Sequence, residues 1–390
     1  MKFVLGRDDG DGPTADLGVY RALDGSHGAA VALDVDRPHA VAVVGKRGYG
    51  KSHTLGVLLE ELAATAGLAP VVVDPMGTFA TLADQNEVGA TVTTDPTVDP
   101  AALDPASWCP LVGLSPESGA GGLVWDAARA ADTLAGMTDH VTVADAPAAD
   151  VRAARNHLAM VGGWDVFDPG GLDAAALSGG DVTVLDCSGL DSGPMNAVAR
   201  VVAETLYAAR VDGRVDRLPW LLVDEAHAFF DGIAGEAFET LLTRGRAPGV
   251  SLVVATQRPG VLPPVCLSQT DILVAHRLTA EDDITALESA RPTYVDGTVA
   301  SRLPEDVGDA VVVDDATETV HAVRVRERRT PQGGASPRAS DVVGDELDTD
   351  RDEHGAHRDG YDPHRDEHDI RQRPPSDGRD HEKGSVSTSR

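Results

Sequence analysis

Six short runs of aliphatic, largely β-branched residues recur between positions 41 and 275: VAVV (41–44), PVVVD (70–74), VTVLD (182–186), WLLVDE (220–225), SLVVAT (251–256) and DILVA (271–275). Each is continuous rather than alternating, the pattern of a strand covered on both faces. Amphipathic stretches of helical period lie between them. Leu55, Leu58, Leu59, Leu62 and Ala66 form one stripe, which Gly67 stops, and Val198, Val201, Val202, Leu206 and Ala209 form another in a helix beginning at Pro194. The chain is therefore expected to be an α/β protein, a mainly parallel sheet flanked by helices.

The pattern weakens in three places. Residues 1–36 hold only short β-prone pieces, LGVYRAL and AAVALDV, too little for an independent domain. Between about 84 and 180 the strand signal fades into Ala, Asp, Gly and Pro, with helices expected near 122–136 and 147–161; this reads as a helical insertion on the sheet. From 327 onward apolar content collapses and RDEH recurs at 351–354 and 365–368, so the body is expected to span 37–326 and the acidic, His- and Arg-rich tail 327–390 to be disordered.

Between the first run and the first helix stripe stands GKRGYGKS. Gly45, Gly50, Lys51 and Ser52 satisfy G-x-x-x-x-G-K-[ST] in its required context, strand before and helix after. Glycines let successive backbone N–H groups turn inward as a nest for phosphate oxygens, and the helix N-terminus adds partial positive charge. The segment Gly45, Lys46, Arg47, Gly48, Tyr49, Gly50, Lys51, Ser52 and His53 is thus expected to bind ATP. Lys51 would reach the β- and γ-phosphates, and the Ser52 hydroxyl would ligate Mg²⁺.

Hydrolysis needs more than binding. In WLLVDEAHAFF, Asp224 and Glu225 end an apolar strand at the edge where open α/β sheets bind ligands. Asp224 would hold Mg²⁺ through water, and Glu225 would polarise the attacking water as general base. Gln257, in ATQRPG at the end of another strand, is placed to orient water against the γ-phosphate and sense its loss. Asp74 and Asp186 also end strands, and either shapes the cleft rim or caps its own loop. His227 and His276 lack metal spacing and read as polar packing.

Charge bears on the setting. Acids outnumber bases 63 to 33, and lysine occurs only at Lys2, Lys46, Lys51 and Lys383. Residues 327–390 hold 16 acids and 11 bases, so about −25 of the net −30 coats residues 1–326. Such a shell repels itself at ordinary salt but not in molar salt, where the Debye length is roughly 3 Å. The composition reads as that of a halophile's protein, for which net charge neither favours nor excludes nucleic acid. No stretch approaches the roughly 18 apolar residues of a membrane span, and acids interrupt MKFVLGRDDGDG before a secretion signal could form. Three scattered cysteines, Cys109, Cys187 and Cys266, exclude a disulfide framework and point to a reducing cytoplasm.

Taken in order, GKRGYGKS, VVVDPMGTF, DVTVLDCSGL, LLVDEAHAFF and RGRAPGVSLVVATQRPGVLPPVCLSQTDILVAHRL resemble the HerA branch of the HerA–FtsK ATPases over about residues 15–326. The resemblance implies a RecA-like P-loop NTPase core and assembly as a hexameric ring. It also implies ATP hydrolysis that moves double-stranded DNA through the ring, work in end resection, and a partner nuclease of the NurA type. A ring of this kind completes its site with an arginine from the neighbouring subunit; Arg244 and Arg246 are the candidates, with Arg277 a third. The sequence departs from the family at Thr78, where an acid often follows the Gly of D-P-x-G, and in its reduced N-terminal segment. No basic stripe marks a DNA path. Two other functions compete: a P-loop phosphotransferase acting on a small substrate, and a nucleotide-gated scaffold that turns over little.

Overall fold

Along the strand Leu68–Asp74, Val71 and Val73 enter one hydrophobic core and Val72 another. The same split recurs in Leu218–Val223, with Leu221 and Val223 on one side and Trp220 and Leu222 on the other. Side chains alternate across a strand, so a continuous apolar run is what a sheet with two covered faces requires. The computed structural model describes residues 2–7, 10–22, 26–84 and 88–333.

The strands are β1 Lys2–Leu5, β2 Thr14–Arg21, β3 His27–Asp34, β4 Ala40–Val44, β5 Leu68–Asp74, β6 Ala90–Thr93, β7 Val182–Asp186, β8 Leu218–Val223, β9 Ser251–Thr256, β10 Ile272–Ala275, β11 Asp309–Asp314 and β12 Thr319–Val325. They form one sheet in the order β1-β3-β2-β12-β11-β10-β4-β9-β8-β5-β7-β6. Every pair from β10 to β6 is parallel, whereas β10–β11, β11–β12, β12–β2 and β2–β3 are antiparallel. The mainly parallel reading thus holds for the core, with an antiparallel extension onto which the N-terminal strands are paired. β2 and β3 arise from the two β-prone N-terminal pieces, and β1, β6, β11 and β12 are additions to the expected strands. β6 has four residues, none fully buried, and so leaves no apolar run, although it lies inside the region read as an insertion.

Helices α1 Lys51–Ala63, α2 Pro105–Leu111, α3 Gly119–Ala130, α4 Leu134–Thr142, α5 Ala148–Gly162, α6 Ser192–Val211, α7 His227–Phe230 and α8 Ala234–Arg244 complete the frame. α1 buries Leu55, Leu58, Leu59 and Leu62 in the core that holds Trp220 and Leu222. α6, α8 and the insertion helices pack into the other core. The insertion is helical because its polar residues fall at caps: Asp104, Ser118 and Thr133 accept the backbone N–H of Ala106, Gly121 and Gly136. Packing also runs past the expected boundary at 326. Arg326 and Thr330 bind the buried Glu60 of α1, and Thr330 is itself buried. Residues 327–333 therefore belong to the packed body, because charge pairing onto α1 replaces the apolar content they lack. The rest of the expected disordered tail, 334–390, lies outside the described residues.

At the end of the sheet opposite the glycine loop, His39 is buried between Asp271 (Nδ1 to Oδ2, 2.8 Å) and Asp34 (Nε2 to Oδ2, 3.6 Å), and Arg7 also reaches Asp34. Burial alone would lower the imidazole's pKa, but the hydrogen bond to Asp271 and the nearby charge of Asp34 outweigh it and raise it to about 9. The resulting stabilisation, on the order of 3 kcal/mol, is fully present below the unfolded value of about 6.5 and is lost as pH rises through about 9. The thermal midpoint is accordingly expected to fall between pH 6.5 and 9 and to do so less in His39→Gln; parallel curves for the two proteins would refute the assignment.

Candidate active site

The loop Gly45–Gly50 joins β4 to α1 at the C-terminal edge of the sheet, with Gly48 at φ +82° and Gly50 at φ +122°, conformations a side chain would resist. Backbone bonds from Gly45 N–H to the Thr256 carbonyl (3.3 Å) and from Lys46 N–H to the Arg277 carbonyl (2.7 Å) tie it to the ends of the flanking strands β9 and β10. Lys51 opens α1, is 6 % exposed, and its ammonium makes no hydrogen bond or ion pair among the described residues. Burial lowers its pKa, opposed by the carboxylates of Glu225 and Asp224. An ammonium held this way is short of a partner.

Ser52 Oγ donates to Asp224 Oδ2 at 2.8 Å. Asp224 is 1 % exposed, and burial raises its pKa while the Ser52 hydroxyl works the other way. One hydroxyl and one carboxylate side by side, next to a phosphate nest, form the oxygen donor set suited to Mg²⁺. The two elements are not sheet neighbours. β9 runs between β4 and β8, and α1 reaches across it.

Glu225 follows with φ +46°, a left-handed conformation costing a non-glycine residue on the order of 1 kcal/mol. Consecutive strand residues point to opposite faces. The kink just past β8 is what lets both carboxylates act on Lys51. Gln257 Nε2 donates to Glu225 Oε1 at 3.3 Å, while the buried Oε2 has no hydrogen-bond partner among the described residues. Burial, then Asp224, raises the Glu225 pKa, making the carboxylate a stronger base. The structure thus brings Lys51, Ser52, Asp224, Glu225 and Gln257 together.

Other expectations divide. Asp74 accepts from the backbone of Met76 and Phe79 and from the Thr78 hydroxyl, so it caps its own loop; burial raises its pKa to about 6. Asp186 caps Ser188 in the same way. Lys46 and Arg47 are exposed on the loop, and the Arg47 charge acts on Glu225. Tyr49 packs under the Arg277 guanidinium, 5.7 Å from the ring centroid, and Arg277 Nη1 donates to the Glu305 carbonyl at 3.0 Å. His53, expected among the nucleotide-binding residues, puts Nε2 2.7 Å from the Arg326 carbonyl. Arg244 ends α8 and Arg246 lies in the turn before β9, both exposed at the opposite sheet edge, and the fold does not bring them to this chain's own loop. His227, read from sequence as packing, lies 3.4 Å from Glu225 Oε2 and 3.3 Å from Thr256 Oγ1. Its place two residues after the carboxylate pair was the available signal. Among the described residues no helix is long and apolar enough to cross a membrane, and all three cysteines are free and buried.

Residues 21–137 match the family model described as "Helicase HerA, central domain". No curated protein matches the chain. Among solved structures, VirB4 of Thermoanaerobacter pseudethanolicus is 16 % identical with a TM-score of 0.61, covering 83 % of this chain and 99 % of its own. The bacterial conjugative coupling protein TrwBdeltaN70 is 14 % identical with a TM-score of 0.54, covering 81 % and 91 %. The plasmid coupling protein TrwB in complex with ADP and Mg²⁺ is 14 % identical with a TM-score of 0.53, covering 75 % and 86 %. At these identities the likeness is one of fold, a RecA-like α/β core.

Proposed function

We propose, on the premise that this chain is a HerA-like P-loop ATPase of the HerA–FtsK superfamily, that it hydrolyses ATP with Mg²⁺ and uses the energy to move along double-stranded DNA. The observation that carries the reading is the convergence at the loop. The Ser52 hydroxyl meets the buried Asp224 carboxylate at 2.8 Å, beside a buried Lys51 that has no ion-pair partner among the described residues. Lys51 and the loop N–H groups would hold the phosphates, and Ser52 and Asp224 the metal, which when bound neutralises phosphate charge. Glu225 would draw the proton from the attacking water, and Gln257, already touching Glu225, would report loss of the γ-phosphate to β9. VirB4 and TrwB, the second of which binds ADP and Mg²⁺, share the fold and support a nucleotide-driven machine over a phosphotransferase.

In this proposal the protein works as a homo-oligomeric ring, with six subunits by family resemblance, in a salt-rich cytoplasm. Arg244 or Arg246 then enters the neighbour's site, which accords with their exposure and their distance in the fold from their own loop. A NurA-type nuclease and end resection follow from the same resemblance. The test is ATP hydrolysis in molar KCl with and without duplex DNA. A several-fold rise is expected, and it should be lost when Arg244→Ala or Arg246→Ala subunits are mixed into wild-type protein. Hydrolysis indifferent to DNA at every salt concentration would overturn the translocase reading.

A further inference from the structure

We propose that His276 is a positioning residue for the phosphate loop: it forms the floor on which Gly45 and Gly50 rest and ties that floor to the first turn of α1. The inference rests on the nucleotide-binding reading above.

His276 directly follows β10, the parallel neighbour of β4, so the two chain ends leave the sheet side by side. It is fully buried, and its N–H bonds the Val44 carbonyl at 2.8 Å. A Cβ at Gly45 would lie 2.6 Å from His276 Cβ, and one at Gly50 would lie 3.0 Å from its Cε1. Both ends of the glycine loop therefore lie against one histidine, Gly45 against its Cβ and backbone and Gly50 against its ring. The bareness of the loop serves this close approach as well as the phosphates.

The ring is also fixed in orientation. Nδ1 lies 2.7 Å from the Asp309 carbonyl, which can only accept, so Nδ1 carries the proton. Nε2 is then an acceptor, and the Thr54 hydroxyl donates to it at 2.9 Å. Thr54 lies two residues beyond Ser52, and its own N–H bonds the Gly50 carbonyl at 2.8 Å. Burial pushes the His276 pKa down to about 4, which keeps the ring neutral and preserves this donor–acceptor pattern. One side chain thus joins three parts: the loop by contact, α1 through Thr54, and β11 through Asp309. An apolar side chain could fill the space but would leave the buried Thr54 hydroxyl and Asp309 carbonyl without these partners.

The test is steady-state ATP hydrolysis and ATP binding by wild type, His276→Ala, His276→Gln and Thr54→Val, with the melting temperature of each nucleotide-free protein. His276→Ala is expected to raise KM and Kd for ATP about tenfold, the equivalent of one lost buried hydrogen bond, with a much smaller change in kcat. His276→Gln, whose amide can again accept from Thr54, should return to within about threefold of wild type. Thr54→Val removes only the hydroxyl and should raise KM about fivefold, which keeps the test decisive if His276→Ala fails to fold. KM unchanged in His276→Ala and Thr54→Val, or a loss of melting temperature without a rise in KM, would overturn the inference while leaving the ATPase reading intact. A wild-type protein that binds no ATP would overturn both.

Discussion

Replacing Glu225 by Gln is expected to lower ATP turnover by about 10³-fold while leaving ATP affinity within about twofold of wild type. The first figure is the typical worth of a positioned general base. The second follows from where the side chain lies. Glu225 is linked to Gln257 at 3.3 Å and to no loop residue by hydrogen bond, so its loss leaves the phosphate loop's own contacts in place. The substitution keeps shape and removes only basicity, and it relieves repulsion from Asp224, which burial had already made costly. Phosphate release measured beside nucleotide binding separates the two quantities. Turnover above a tenth of wild type would show that another group takes the proton. Equal loss of binding and turnover would show that Glu225 holds nucleotide instead.

Replacing Lys51 by Met should act on the opposite quantity. The ammonium is buried, lacks an ion-pair partner among the described residues, and has its pKa lowered by that burial. In the nucleotide-free protein it is therefore a cost, offset in part by Glu225 and Asp224. Met restores an apolar stem of similar length without the charge, so the nucleotide-free variant is expected to melt no lower than wild type. Its affinity for ATP should fall by about 100-fold, the loss of charge-assisted bonds to two phosphates. The rise in melting temperature that ATP gives the wild type should vanish with it. A variant that ATP still stabilises to the wild-type extent would mean that the triphosphate is held elsewhere.

The parts of this site that were legible in the sequence are local. GKRGYGKS carries its meaning within eight residues, because a nest of inward N–H groups needs glycines at fixed spacing and a helix directly after. Asp224, Glu225 and Gln257 were equally legible, each lying just past an apolar run that announces a buried strand and hence an edge. His276 was not, although it stands beside an equally clear strand. Its role depends on β10 lying next to β4, and no spacing between residues 45 and 276 encodes that adjacency. Thr330 and the pairing of Arg326 onto α1 were missed for a related reason: polar residues pairing with a buried Glu60 produce no hydrophobic periodicity.

The chain alone determined the α/β class, the phosphate loop and the acids at the strand ends, since backbone freedom and burial pattern act over a few residues. The fold decided which strand ends meet. It placed β9 between β4 and β8, set Ser52 against Asp224, turned Glu225 through a left-handed kink beside its neighbour, and slid His276 beneath the glycines. The Ser52–Asp224 and glycine–His276 contacts join segments more than a hundred residues apart, chosen by the packing of two cores against one sheet, and only the folded chain brings them within a few ångströms.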